Sequence, residues 1–361
     1  MLKPRAGIQA VPAYHPPLAG RRGLRFDFNE NTVGCAPRVL ARLQQLGPED
    51  LARYPEREPV ETLLAEHFGI APEELLLTNG VDEAIHLLCQ TYLAPGDEAL
   101  IVVPTYSMYR IYIMAAGAEV VSVQAGKNFS FPLEDVRNRI SEKTRFIVIA
   151  NPNNPTGTVV PADQLLSIAH SAPFAALLVD EAYFEFYGQT LYRSCRELPN
   201  LFVARTFSKV YGLAGLRVGL LIGPGDQMQT IRRVSSPYNV NAVALACLSE
   251  AIAGQDYIEQ YVSEVLESRK RLEQTLRDLA IHFWPSQANF VLMRIGPSKQ
   301  EAAAFVEQMR RRGMLVRDRS GDPGCEGCVR ITLGPRSHAD RLLAALNEVS
   351  EQLGLTPGAR R

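Results

Sequence analysis

Five short apolar runs, each stopping at a polar, proline-bearing or glycine-bearing segment, constrain this chain more than any other feature. Residues 99–103 stop at Pro104, and 146–150 stop at Asn151-Pro152. Residues 175–179 end at Asp180, 201–204 at Arg205, and 217–222 at Gly223-Pro224. Runs of this length bounded by turn residues read as buried strands. Helical patterns lie between several of them, as at 82–92 and 161–169. Strands apolar on both faces and separated by helices make a mostly parallel sheet covered on both sides, an α/β fold. Ligands of such sheets bind beyond the carboxyl ends of the strands. The polar residues at those ends are therefore where chemistry is expected.

At 361 residues the chain is long enough for two domains. Residues 2–23, rich in Pro, Gly and Arg, read as irregular, and residues 1–48 as an N-terminal arm that joins the smaller domain. The large domain is expected over 49–240 and a small α+β domain over 241–361. The latter shows a long helical region at 241–279, strands at 289–293, 314–316 and 328–333, and helices at 299–311 and 337–353. Acidic and basic residues nearly cancel, for a formal net charge of -1, which argues against a nucleic-acid partner. No apolar run reaches the roughly 18–20 residues of a membrane span. The start, Met1-Leu2-Lys3-Pro4-Arg5, lacks the apolar stretch of a signal peptide. A cytoplasmic location is expected. The six scattered cysteines then read as reduced thiols rather than a disulfide framework.

Four segments at strand or helix ends carry chemistry. In Thr206-Phe207-Ser208-Lys209 a lysine follows a strand and two hydroxyls, and Arg217 lies eight residues on. Desolvation and nearby cations lower the pKa of such a lysine and free its amine. The hydroxyls and the arginine suit a phosphate. Asn151-Pro152-Asn153-Asn154-Pro155-Thr156-Gly157 makes a rigid turn. In Val179-Asp180-Glu181-Ala182-Tyr183 an acidic residue ends an apolar strand, and a buried carboxylate is costly unless paired. A metal is one partner, although no His or Cys cluster lies nearby; a protonated pyridine ring is another. Thr78-Asn79-Gly80-Val81-Asp82-Glu83 opens a helix whose N–H groups favour an anion. Taken singly, these segments also read as a surface lysine, a capped turn, a metal ligand and an ordinary N-cap.

Taken in order, Asn-Gly-x-Asp-Glu, Pro-Thr-Tyr, Asn-Pro-Asn-Asn-Pro-Thr-Gly, Asp-Glu-Ala-Tyr, Ser-Lys and Arg-x-Gly resemble the fold-type I, class I/II aminotransferases, most of all their histidinol-phosphate branch. The resemblance runs from about residue 28 to 353. It implies pyridoxal 5'-phosphate carried as a Schiff base on Lys209, which also moves a proton between substrate Cα and cofactor C4'. It implies that Asp180 pairs with the pyridine nitrogen, that Asn154 and Tyr183 bond the 3' oxygen, and that Tyr106 stacks on the ring. Thr206, Ser208, Arg217 and the backbone N–H groups of Val81 and Asp82 would hold the phosphate. Tyr54 would reach the phosphate of a neighbouring subunit's cofactor, which implies a homodimer with shared sites. On the substrate side it implies Arg330 forked onto a carboxylate or equivalent anion. Arg317 and Tyr14 would lie near a substrate phosphate, and the segment containing Asn29 would line the pocket. A solvated edge arginine and an unrelated loop tyrosine are the plainer readings of Arg317 and Tyr14.

The expected reaction is ping-pong transfer from histidinol phosphate to 2-oxoglutarate, with aromatic amino acids as rival donors. A threonine-phosphate decarboxylase is the alternative on the same cofactor; it would release CO2 without an acceptor. A ligand-sensing transcription regulator would need a DNA-binding helix-turn-helix for which only about fifty residues are available. A nucleotide-binding dehydrogenase lacks its Gly-x-Gly-x-x-Gly. Two departures touch the substrate side: Thr32 stands where proline is usual and Cys35 where serine is common. Cys325-Glu326-Gly327-Cys328 has no second pair to complete a zinc site and reads as two unconnected thiols.

Overall fold

The computed structural model describes residues 2–11, 13 and 22–355. A two-residue strand, β1 (Leu24–Arg25), precedes seven that form the central sheet. These are β2 (Leu75–Thr78), β3 (Glu98–Val103), β4 (Glu119–Gln124), β5 (Thr144–Ala150), β6 (Ala176–Asp180), β7 (Leu201–Thr206) and β8 (Gly219–Ile222). Their order is β2-β8-β7-β6-β5-β3-β4. The run from β7 to β4 is parallel, while β8 lies antiparallel to both of its neighbours.

Alternate residues of each inner strand enter different apolar clusters. Leu177 and Val179 face one side with Leu165 and Ile168. Leu178 faces the other with Ile85 and Leu88 of the helix Gly80–Tyr92. Both faces are buried, and that is why these strands read as unbroken apolar runs. β2 and β4 escape such a reading for different reasons. The Leu-Leu-Leu-Thr of β2 lacks the β-branched signature, and β4 is an edge strand with only Val123 buried.

The C-terminal part contains β9 (His282–Trp284), β10 (Phe290–Arg294), β11 (Met314–Leu315), β12 (Arg317–Asp318) and β13 (Cys328–Thr332). Four of these form an antiparallel sheet in the order β12-β13-β10-β9. β11 instead pairs in parallel with β1. The expected long helix over 241–279 is two, Ala242–Ala253 and Gln255–Asp278, broken at Gly254. A Cβ at Gly254 would lie 3.1 Å from Arg38 Cδ, so a small residue suits the bend. Phe26 N–H donates to Leu315 O, and Thr332 N–H donates to Phe26 O, both at 2.8–2.9 Å. These bonds bring Asp27, Phe28 and Asn29 between the C-terminal sheet and the ends of the central strands. Arg5, near the chain start, docks elsewhere, on Ala115 O at 2.7 Å.

Candidate active site

The cleft lies at the carboxyl ends of β5, β6 and β7 and has a volume of about 660 Å³. That is within the usual range for a small-molecule site. Its lining includes Val81, Asp82, Tyr106, Asn154, Asp180, Tyr183, Thr206, Ser208, Lys209 and Arg217. The four segments singled out in the sequence, and Tyr106 from a fifth, thus meet in one cavity.

Asp180 is the last residue of β6, and its carboxyl group is buried. Tyr109 Oη donates to Oδ2 at 2.6 Å, and Ala182 N–H donates to Oδ1 at 3.0 Å. Burial pushes the carboxyl up to about 6, against the pull of those two bonds. Among the described residues it makes no ion pair. A buried carboxylate with spare acceptor capacity calls for a cationic partner from outside the chain.

Lys209 follows β7 and extends its ammonium to Phe28 O at 3.2 Å. Burial, then the Arg330 guanidinium, lower its pKa to about 8. About a tenth of the amine is then free at pH 7, far more than for an ordinary lysine, as a nucleophile requires. Tyr183 Oη accepts from Asn29 Nδ2 at 2.8 Å, and burial raises the phenol's pKa. Asn29 is itself buried in a left-handed conformation, φ 55°. Its N–H donates to Thr332 Oγ1 at 3.0 Å, and its Oδ1 accepts from that hydroxyl at 3.1 Å. The Asn29 side chain is therefore committed to holding Tyr183 and β13.

An anion-receptive corner forms where the helix Gly80–Tyr92 begins. Arg217, read from the sequence as opening a strand, precedes β8 instead and takes φ 55°. That turn aims its guanidinium at the helix N-terminus, where Nη2 bonds Asp82 Oδ2 at 3.1 Å. Tyr106 Oη donates to the other oxygen of Asp82 at 2.9 Å. Gly80 is required: its φ is +72°, and a Cβ there would stand 2.6 Å from Arg217 Nη2. Gly219 of β8 admits the same helix start, since its Cβ would meet Val81 N at 3.0 Å. Positive guanidinium, helix N–H groups and the Thr206 and Ser208 hydroxyls converge as a phosphate site would.

Arg330 is buried on β13, beside this lining. Its Nη2 donates to Asp27 O at 2.6 Å, its Nη1 to Asn154 Oδ1, and its Nε has no partner. Burial, then Arg319 and nearby Arg317, hold its pKa down to about 9. Arg317 sits opposite Arg330 in the β12–β13 register and places its guanidinium 5.1 Å from the centre of the Phe28 ring. Its Nη1 is buried and unpartnered, unlike a solvated edge arginine. Arg319, ion-paired with Asp322, adds to the positive field. Arg330 bonds Asn154 and Arg317 lies over Phe28, both of which line the cavity, so incompletely paired guanidinium groups stand just behind its wall and favour an anionic ligand.

One expected residue falls outside this constellation. Tyr54 is 77% exposed and stacks on Tyr238 at 4.3 Å, away from the cleft. Tyr14 lies outside the described residues. Thr32 is explained locally: its N–H donates to Tyr261 Oη at 3.3 Å, a bond that proline cannot make. Its hydroxyl meets His338 Nδ1 at 2.9 Å. Tyr109 lines the cleft and Arg319 acts on Arg330 from behind it, and neither stands out in the sequence. The Tyr106-x-x-Tyr109 spacing on a helix start and the Arg317-x-Arg319 alternation are the signals that point to them.

The residues present suit pyridoxal phosphate: an unpaired buried carboxylate, an amine of lowered pKa, and an anion corner stand around one cavity. The family model for aminotransferase class I and II matches residues 21–346. A histidinol-phosphate aminotransferase of Dehalococcoides mccartyi (strain CBDB1) is 32% identical over 347 residues, covering 96% of each chain. One from Thermococcus gammatolerans is also 32% identical, covering 92% of this chain and 94% of the relative. The crystal structure of histidinol-phosphate aminotransferase from Sinorhizobium meliloti in complex with pyridoxal-5'-phosphate superposes with a TM-score of 0.90 at 27% identity. It covers 98% of this chain and 99% of that one. The chain belongs to the class I and II aminotransferases and is a pyridoxal-phosphate-dependent enzyme of that family.

Proposed function

We propose that the chain transfers the amino group of histidinol phosphate to 2-oxoglutarate in a ping-pong cycle. The observation that carries this reading is the Arg317–Arg330 pair across β12 and β13, with buried unpartnered nitrogens on both guanidiniums. One suits a carboxylate, and the other suits the phosphate of the donor. The named activity of the relatives supports the same choice.

When bound, pyridoxal phosphate supplies a ring that accepts the electron pair left at substrate Cα. Lys209, its pKa lowered to about 8, would hold the cofactor and would be the group that moves a proton at substrate Cα. Asp180, held by Tyr109 and Ala182, would keep the ring nitrogen protonated. Asn154 and Tyr183 would hold the 3' oxygen, with Asn29 fixing the tyrosine. Tyr106 would cover the ring. Arg217, Thr206, Ser208 and the Val81 and Asp82 N–H groups would hold the phosphate.

In this reading residues 241–361 form the small domain, joined by the 1–48 arm through its 24–29 segment, residues 49–240 form the large one, and Tyr14 adds to the substrate phosphate site. The exposed Tyr54 reaches the other subunit's cofactor in a cytoplasmic homodimer. The test is the visible spectrum of the purified protein. Its lysine-bound cofactor band should shift on adding histidinol phosphate and return on adding 2-oxoglutarate. A band that histidinol phosphate leaves unchanged would refute the substrate assignment.

A further inference from the structure

Trp284, Leu292, Cys325 and Cys328 form a small apolar cluster, with Phe129 packed against it, that the cleft chemistry does not use. It anchors the 319–328 loop between β12 and β13. Successive turns shape that loop: Asp322 N–H donates to Arg319 O, Cys325 N–H to Asp322 O, and Cys328 N–H to Cys325 O, at 2.9–3.0 Å. Arg319 N–H closes the base on Cys328 O at 2.9 Å. Gly327 fixes the last turn: its φ is +70°, and a Cβ there would overlap Gly296 O.

Cys325 and Cys328 are the ends of that last turn. Turn geometry holds such Cα atoms within about 7 Å, overlapping the separations that a disulfide spans. Both residues are buried and reduced. Cys328 Sγ points back into the turn, 3.8 Å from Glu326 O, and the neighbouring Cys325 thiol lowers the Cys328 pKa against burial while its own is raised. Arg294 also favours the Cys328 thiolate, and its buried Nε has no hydrogen-bond partner. No group of three metal-ligating side chains occurs among the described residues, so the pair lacks zinc co-ligands.

We propose that Cys325 and Cys328 are a reversible dithiol–disulfide site, oxidised by low-molecular-weight disulfides, that alters the fit of Arg330 to its anionic ligand. The second half rests on the substrate-binding role given to Arg330 above. The Cys328 thiolate attacks one sulfur of the small disulfide and expels the other as a thiolate. The Cys325 thiolate then attacks Cys328 sulfur in the mixed disulfide and expels the second thiolate. The two cysteine protons end on the released small thiols, and two cysteine thiols have been oxidised by one disulfide. Because both thiols are buried, exchange proceeds from an opened loop. The consequence reaches the cleft over a short path. Cys328 begins β13 two residues before Arg330, and its carbonyl anchors Arg319, whose charge lowers the Arg330 pKa.

The test is to incubate the cofactor-loaded protein with oxidised glutathione, quench in acid, alkylate, and map peptides by mass. In the wild type Cys325 and Cys328 should escape alkylation as a peptide lighter by two hydrogens, and dithiothreitol should reverse this. The KM for histidinol phosphate and for 2-oxoglutarate should rise about fivefold on oxidation, with kcat little changed. Cys325→Ser should give only a glutathione adduct at Cys328 or none, and its KM should not respond to oxidant. If both thiols remain alkylatable even in mild urea, which opens the loop, the redox site is refuted. A disulfide that leaves KM unchanged refutes the link to Arg330. The mass readout does not depend on the substrate, so failure of the functional assignment would be separately visible.

Discussion

Asp180→Asn should stabilise the cofactor-free protein while weakening its hold on the cofactor. Burial raises the Asp180 pKa from an ordinary 3.8 to about 6. A folded pKa above the unfolded one contributes stability that is fully present below about 3.8 and is lost as pH rises through about 6. Above that window the ionised carboxylate costs the folded protein about 3 kcal/mol, since each pKa unit is worth about 1.4 kcal/mol. Asparagine carries no charge, can accept from Ala182 N–H, and can donate to Tyr109 Oη. The variant should therefore gain on the wild type by about 2 kcal/mol between about pH 4.5 and pH 8, with most of the gain below about pH 6.5. Urea denaturation of both cofactor-free proteins across that range measures the difference. Adding pyridoxal phosphate should reverse the ranking, because its ring cation pairs only with the carboxylate. A difference independent of pH, or one that shrinks as pH rises, would refute the reasoning.

Tyr109→Phe removes the 2.6 Å bond to Asp180. A hydrogen bond to a charged group is worth about 1.5–3 kcal/mol. The Asp180 pKa should rise further, and the cofactor should bind about tenfold or more weakly by equilibrium dialysis. Arg330→Gln removes the cation that, after burial, most lowers the Lys209 pKa. Cofactor capture by the apoprotein should then move to higher pH than the value of about 8 for Lys209 implies, as followed by absorbance. Gly157→Ala drives a Cβ into Ser286 Oγ at φ +72°. It should cost about 1–3 kcal/mol, seen as a lower melting temperature, because strain and overpacking act together.

Much of this protein is legible in its sequence alone. The inner strands announce themselves because both of their faces are buried, so every position along them is under the same apolar demand. Asp180, Lys209, Asn154 and the Gly80-Val81-Asp82 corner are legible because each ends or closely follows a strand, or opens a helix, where polarity against an apolar run stands out. Their proposed roles come from the ordered motifs, since spacing alone leaves a capped turn and a surface lysine open. Only the tertiary structure decides how side chains from distant segments divide the work. Asn29 is spent on Tyr183, Tyr109 on Asp180, and Asp82 on both Arg217 and Tyr106. Arg217 leaves its expected strand because a left-handed turn directs its side chain to the helix start. Local sequence encodes backbone preference and burial; hydrogen-bond partners separated by up to hundreds of residues are set by how the sheets dock. That docking selects which donor faces each carboxylate.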